Sequence, residues 1–334
     1  MDEVKQLVTD IKKKNLKPIY LLMGEEAYYI DKISDFIEDT VLAEEEKGFN
    51  QMVMYGRDVT IDDIVGQAKR YPMMADKQVI IVKEAQDLSR TIDKLIDYAK
   101  NPQLSTVLVL CYKYKSVDKR KAVYKTIKKM GVVYESKKLY DNQVPDWIRR
   151  VLATKGYTIN PKASQMLVEF LGTDLGKINN ELEKLQIVLP KNSEITPVHI
   201  EENIGISKDY NNFELRKAIG SRHDAKAFTI IKYFGENPKD NPMVVTVSLL
   251  FNFFSQLLQL HGMNDKSPRS VASALKVNPY FVNEYIEAAR NFPMRKVSGI
   301  IGSLREFDVK SKGVNSNATP QKDLLKEMLF KILN

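Results

Sequence analysis

Pro18–Asp31, PIYLLMGEEAYYID, is the stretch whose residue order comes closest to nucleotide chemistry. It reads as a strand over Ile19–Met23, a turn at Gly24, and a helix from Glu25 toward Leu42. Such a junction is where a phosphate-binding loop sits. That loop needs several glycines for its backbone N–H groups, a Lys for the outer phosphates and a Ser or Thr for magnesium. Here Gly24 is followed by Glu25, Glu26, Ala27 and Tyr28, and no Lys-Ser or Lys-Thr comes after. Two carboxylates are expected to point where a triphosphate would lie. The frame is that of a nucleotide-binding domain without the nucleotide chemistry, and no cofactor is expected.

Other chemistry finds less support. His199, His223 and His261 are far apart and share no helical face, so no metal site is expected. Cys111 lies in an apolar run and reads as a small core residue, with no histidine to make it a nucleophile. Asp93, Asp97 and Asp118 read as caps and surface charges, and no catalytic residue is assigned. Lys113–Lys129 is rich in lysine with Tyr112, Tyr114 and Tyr124 interleaved. It reads either as a solvated helix face or as a contact for nucleic-acid phosphates, with Lys119, Arg120 and Lys121 as the candidate DNA-facing residues. Met73 and Met74, in YPMMAD, follow a helix that Pro72 would stop and precede a strand. Flexible thioethers there could enter a pocket on a partner, or could plug the end of a sheet.

The elements that must position these residues change character along the chain. Strands alternate with helices to about residue 140: FNQMVMYG, Gln78–Val82, Thr106–Cys111 and Val132–Tyr134, separated by helices such as the one capped by Thr60 and one over Asp118–Met130. This pattern implies parallel crossovers and a three-layer sheet. After that the strands stop and helices continue, over Asp146–Lys155, from Pro161 to Gly172 and over Asp174–Leu189. A last all-helical part runs from Asn212, with a polar loop over Gly313–Thr319. The expected domains are 1–140, 141–211 and 212–334. Composition is that of an ordinary globular protein of 334 residues, 43% hydrophobic and 28% charged, with a formal net charge of +8. A single cysteine excludes an internal disulfide framework and fits a reducing cytoplasm. No signal peptide is read at the N-terminus. The apolar run Met243–Leu260 carries six polar side chains and reads as a core helix, not a membrane span.

Several segments in order resemble one family, the delta subunit of the bacterial DNA polymerase III clamp loader. They are PIYLLMGEEAYYID, FNQMVMYG, YPMMADKQVIIVKEAQDL, DWIRRVLATKGYTINPKASQMLVEFLGTDLGKINNELEKL, NFELRKAIGSRHDAKAFTII and ALKVNPYFVNEYIEAARNF. GTDLGKINNELEKL is the most specific, and together they span nearly the whole chain.

The resemblance implies an α/β plus all-α fold: an AAA+-like parallel domain without a functional P-loop, a small helical lid and a C-terminal helical collar. It implies a subunit that binds the sliding clamp (the beta subunit) and opens its ring for loading onto primed DNA, without hydrolysing ATP. Its partners would be the tau/gamma and delta prime subunits in a hetero-pentamer. It would be no enzyme by itself, but part of a holoenzyme classed as a DNA-directed DNA polymerase, a nucleotidyltransferase. The family's clamp-contacting hydrophobic pair, often Leu and Phe, falls on Met73 and Met74. Two other functions remain open at this point: an ATP-hydrolysing AAA+ motor subunit, and a stand-alone basic nucleic-acid-binding protein.

Overall fold

Continuous apolar runs become the strands of a parallel sheet in a computed structural model that describes residues 2–313 and 319–334. Two compact units are formed, Met1–Leu139 with Asp174–Gly176, and Tyr140–Thr173 with Lys177–Asn334. The first holds β1 (Ile19–Gly24), β2 (Gln51–Tyr55), β3 (Gln78–Lys83), β4 (Thr106–Lys113) and β5 (Val132–Ser136). Their order is β2-β3-β4-β1-β5, and every pairing is parallel. Parallel neighbours need crossovers, which α2 (Ala27–Thr40), α3 (Glu44–Asn50), α4 (Ile61–Ala68), α5 (Ile96–Lys100) and α6 (Ala122–Met130) supply, and α1 (Asp2–Lys12) precedes β1. The period-2 alternation of strand side chains divides the core in two. Ile19, Leu21, Leu108 and Leu110 pack with Ile64 of α4 and Ile127 of α6. Tyr20, Leu22, Val107 and Val109 pack with Ile11 of α1 and Ile30 of α2. Helices on both faces make the three layers. They also explain why the central strands read as unbroken apolar runs.

Cys111 belongs to the α1/α2 layer and is fully buried. Burial pushes its thiol up to about 12, so it is an inert core residue.

Several element boundaries differ from the sequence reading. Phe49 and Asn50 are not strand residues but the end of α3, a helix that the sequence reading lacks. With seven residues it is too short to display a helical period. α4 ends at Ala68, before Pro72 can act. Carbonyls near its end are captured from the sheet: Gln78 Nε2 donates to Gln67 O and Arg70 O at 3.3 and 2.6 Å, and Thr106 Oγ1 to Ala68 O at 2.8 Å. α6 starts at Ala122, because Asp118 instead forms a local turn, accepting from Arg120 N at 2.9 Å.

The second unit contains α7 (Val144–Ala153), β6 (Thr158–Ile159), α8 (Pro161–Leu171), most of α9 (Leu175–Val188), β7 (Glu194–Ile195) and α10 (Pro197–Ile204). Strands therefore do not stop at residue 140. β6 and β7 pair in parallel, but two residues each cannot display a sequence period. Pro161 opens α8 and Gly172 caps it, and Leu175, Ile178, Leu182 and Leu185 are fully buried, all as the pattern predicts.

The helices continue with α11 (Asn212–Gly220), α12 (Asp224–Glu236), α13 (Met243–His261), α14 (Pro268–Leu275), α15 (Val282–Asn291), α16 (Met294–Ser311) and α17 (Gln321–Leu333). Residues 314–318 of the expected polar loop lie outside the described residues. α13 is long and apolar enough to cross a membrane, but Val247, Leu250, Phe254 and Leu257 are buried in a helical core with Val297, Ile300 and Leu304 of α16. α13 also packs on α11, α14 and α15, which accounts for apolar residues on more than one face.

Candidate functional site

At the end of β1 the chain must turn sharply, and the residue there has no room for a side chain. Gly24 has φ +134°, and a Cβ at this position would lie 2.0 Å from Ser136 O. Its N–H donates to Lys115 O at 3.0 Å, and Glu26 N–H donates to Ser136 O at 3.3 Å. Glu26 is the N-cap of α2, its Oε1 accepting from Tyr28 N at 2.9 Å. Three amides that could face a phosphate thus donate within the protein. This corrects one expectation. Only Glu25 points to solvent, whereas Glu26 is buried and turned onto its own helix, where burial pushes its carboxyl pKa up.

Beside this turn, at the C-terminal ends of the strands, lies a charge network built by Lys113. Its Nζ is 2.8 Å from Asp31 and 3.0 Å from Glu84, and its side chain is only 11% exposed. Lys113 is therefore not one of the mobile cations its sequence neighbourhood suggested. It cross-links β4 to α2 and to the residue after β3. Burial alone would lower its pKa, but the bonds to Asp31 and Glu84 outweigh burial and raise it. Burial would raise the Glu84 carboxyl, but bonds from Gln86 and Lys113 outweigh it and lower it.

Replacing Lys113 by Met should cost about 2 kcal/mol, below the range for fully buried pairs because both carboxylates are partly exposed. The sign follows from the shifts. A raised lysine pKa gives stability that is complete below about 10.4 and is lost as pH rises through the higher folded value. A lowered Glu84 pKa gives stability that is complete above about 4.3 and is lost as pH falls through the lower folded value. Urea titrations of the wild type and Lys113→Met should differ by a constant amount from about pH 5 to about pH 10. A gap that is zero at pH 7 would contradict this reading.

Lys119, Arg120 and Lys121 follow in the next connection. Each holds a carboxylate: Lys119 with Glu135 at 2.8 Å, Arg120 with Asp118 at 2.8 Å and Lys121 with Asp93 at 2.6 Å. Asp93 and Asp118 are thus surface ion-pair partners, as is Asp97 with Lys100 at 3.1 Å. The histidines make separate structural contacts. His199 accepts from Thr196 N, His223 meets Ser221 Oγ, and His261 meets Phe292 O. Among the described residues, no three His, Cys, Asp or Glu side chains are grouped to hold a metal.

Met73 and Met74 lie at the other end of the sheet. The connection carrying them leads into Gln78, which opens β3. Neither residue plugs the sheet: Met73 is 61% and Met74 102% exposed. The corner is nevertheless held. Asn50, 4% exposed at the end of α3, accepts from Met73 N at 2.6 Å and donates to Met73 O at 2.9 Å. Met74 has φ +52°, a left-handed conformation that costs a non-glycine residue free energy unless its surroundings impose it. The side chains of Phe49 and Tyr71 are exposed as well. The arrangement offers apolar side chains with no buried role on a corner of a sheet-based domain.

The family model described as "DNA polymerase III, delta subunit" matches residues 20–137, and the one for that subunit's C-terminal domain matches residues 209–330. The chain belongs to the DNA polymerase III delta subunit family. It is similar to DNA polymerase III subunit delta of Bacillus subtilis (strain 168), 26% identical over 313 residues that make up 90% of each chain. A solved structure, the Bacillus subtilis DNA clamp loader delta protein (YqeN), matches 99% of each chain at 25% identity with a TM-score of 0.55.

As a delta subunit, this chain is an accessory subunit of DNA polymerase III and belongs to DNA replication. The family and the architecture expected from the quoted segments, a parallel α/β domain followed by helices, are those found. The first delta-subunit match covers Gly24, Met73, Met74 and Lys119–Lys121 alike. Sequence reasoning missed Asn50, which stands 23 residues from Met73, and no local pattern connects the two.

Proposed function

We propose that this delta subunit binds the sliding clamp through Met73 and Met74 and opens the ring for loading onto primed DNA, without hydrolysing ATP. The observation that carries the reading is the exposed methionine pair on a backbone held by buried Asn50. Apolar side chains of this kind gain by entering a pocket on a partner, because no polar group is left unpaired. A rigid corner suits a wedge, which must not yield when a ring interface parts.

The chain would act in three parts: a clamp-binding domain over 1–140, a lid over 141–211 and a collar over 212–334. The collar would join tau/gamma and delta prime subunits in a cytoplasmic hetero-pentamer. Lys119, Arg120 and Lys121 would face DNA, and only within that complex. A pull-down of the sliding clamp by the intact chain tests the central reading, and failure to retain the clamp would sink it. Lys119→Glu, Arg120→Glu and Lys121→Glu together should change clamp affinity by less than about fivefold, since the cations lie at the surface and are already paired. A large loss at moderate salt would place them at the clamp instead.

No nucleotide binding is expected. The amides at the turn are engaged, Glu25 would repel a triphosphate, and Lys113 is tied to two carboxylates. Titration with a fluorescent ATP analogue should show no saturable signal at micromolar concentrations. Saturable binding abolished by substitution at Gly24 would favour a motor subunit.

A further inference from the structure

A wedge made of two side chains works only if the backbone beneath it keeps one shape. Met73 and Met74 lie in a connection without regular structure, where backbones ordinarily exchange among conformers. Asn50 supplies what a strand pairing would otherwise give. Its carboxamide closes two hydrogen bonds on one residue, Oδ1 accepting from Met73 N at 2.6 Å and Nδ2 donating to Met73 O at 2.9 Å. The same Nδ2 donates to Glu46 O at 3.1 Å, which ties the carboxamide to α3. An acceptor and a donor in one plane on a short side chain is a combination that only asparagine has. With both backbone groups of Met73 fixed, its Cβ direction is set, and Met74 follows in its left-handed conformation.

We infer that Asn50 is the positioning residue of the clamp anchor, a buried side chain that holds the pair in its binding shape without meeting the clamp. The inference rests on the reading of Met73 and Met74 as that anchor. Without Asn50 the corner would sample other shapes, and affinity would fall by the fraction of molecules that keep the competent one. For a residue released from one backbone well this is about tenfold. The loss should fall mainly on the association rate, whereas removing the methionine side chains should mainly speed dissociation.

The test is a double-mutant cycle on the full chain, read by surface plasmon resonance against the sliding clamp, with thermal unfolding and amide exchange over residues 71–76. Asn50→Ala should lose about tenfold in affinity and speed exchange at Met73. The same change in the Met73→Ala/Met74→Ala background should cost nothing further. If Asn50→Ala does not fold, Asn50→Asp keeps the size and the acceptor but loses the donor, and takes its place in the cycle.

An equal fold-loss in both backgrounds overturns the inference, because Asn50 would then act through the fold at large. So does an undiminished affinity of Asn50→Ala while Met73→Ala/Met74→Ala remains weak, and in either case the clamp reading stands. An undiminished affinity of Met73→Ala/Met74→Ala overturns the clamp reading itself, and this inference with it.

Discussion

Truncating Met73 and Met74 to alanine is expected to weaken binding to the sliding clamp about 30- to 1000-fold, the equivalent of about 2–4 kcal/mol. Both side chains are exposed, so the pair contributes contact area and little to the core. Thermal stability should therefore stay within about 0.5 kcal/mol of the wild type. The two readouts must be taken together. A core plug would show the opposite pattern, a lowered Tm with affinity per folded molecule nearly intact. Surface plasmon resonance beside thermal unfolding separates the outcomes, and undiminished affinity would overturn the reading of Met73 and Met74 as the clamp anchor. Methionine is flexible, so the pair would bind a pocket by adapting to it, and Leu substitutions should keep most of the affinity.

Arg216→Ala is expected to destabilise the second unit by about 3 kcal/mol and to lower its Tm by about 6–12 °C. Arg216 on α11 lies 3.6 Å from Glu169 on α8, and both side chains are mostly buried. Its guanidinium also lies 4.9 Å from the Phe213 ring centre and 5.6 Å from that of Tyr285. Removing it strands Glu169, whose carboxyl burial already pushes to a raised pKa against the opposing pull of Arg216. In the variant that pKa should rise further. A carboxyl with a raised folded pKa binds more protons folded than unfolded, so stability falls as pH rises through its unfolded value toward the folded one. The deficit of Arg216→Ala should thus be smaller near pH 5 than near pH 8. Unfolding curves at the two pH values measure it, and an unchanged Tm at pH 8 would show that Arg216 ties nothing together.

Much of the fold was legible because a single element's burial is written in its own periodicity. Val79–Val82 and Val107–Cys111 are apolar without a break because helices cover both faces, and Leu175, Ile178, Leu182 and Leu185 recur at helical spacing because one face is buried. Pro161 marked the start of α8 by its fixed φ and Gly172 its end by its freedom to take a positive one. The absence of a phosphate-loop lysine after Gly24 was equally plain, since that motif is local.

Partners far apart in the chain were not legible. Gln78 and Thr106 end α4 from the sheet, and Lys113 is drawn from a basic run into a pair with Asp31 and Glu84. Asn50 fixes Met73 across 23 residues. In each case the residue type permits several hydrogen bonds or ion pairs. Packing selects one by bringing a particular donor and acceptor together away from water, where leaving either unpaired costs more than the bond itself contributes. The sequence by itself therefore determined which segments are buried, while the tertiary structure decided which polar side chains are spent inside the protein and which remain free to meet a partner.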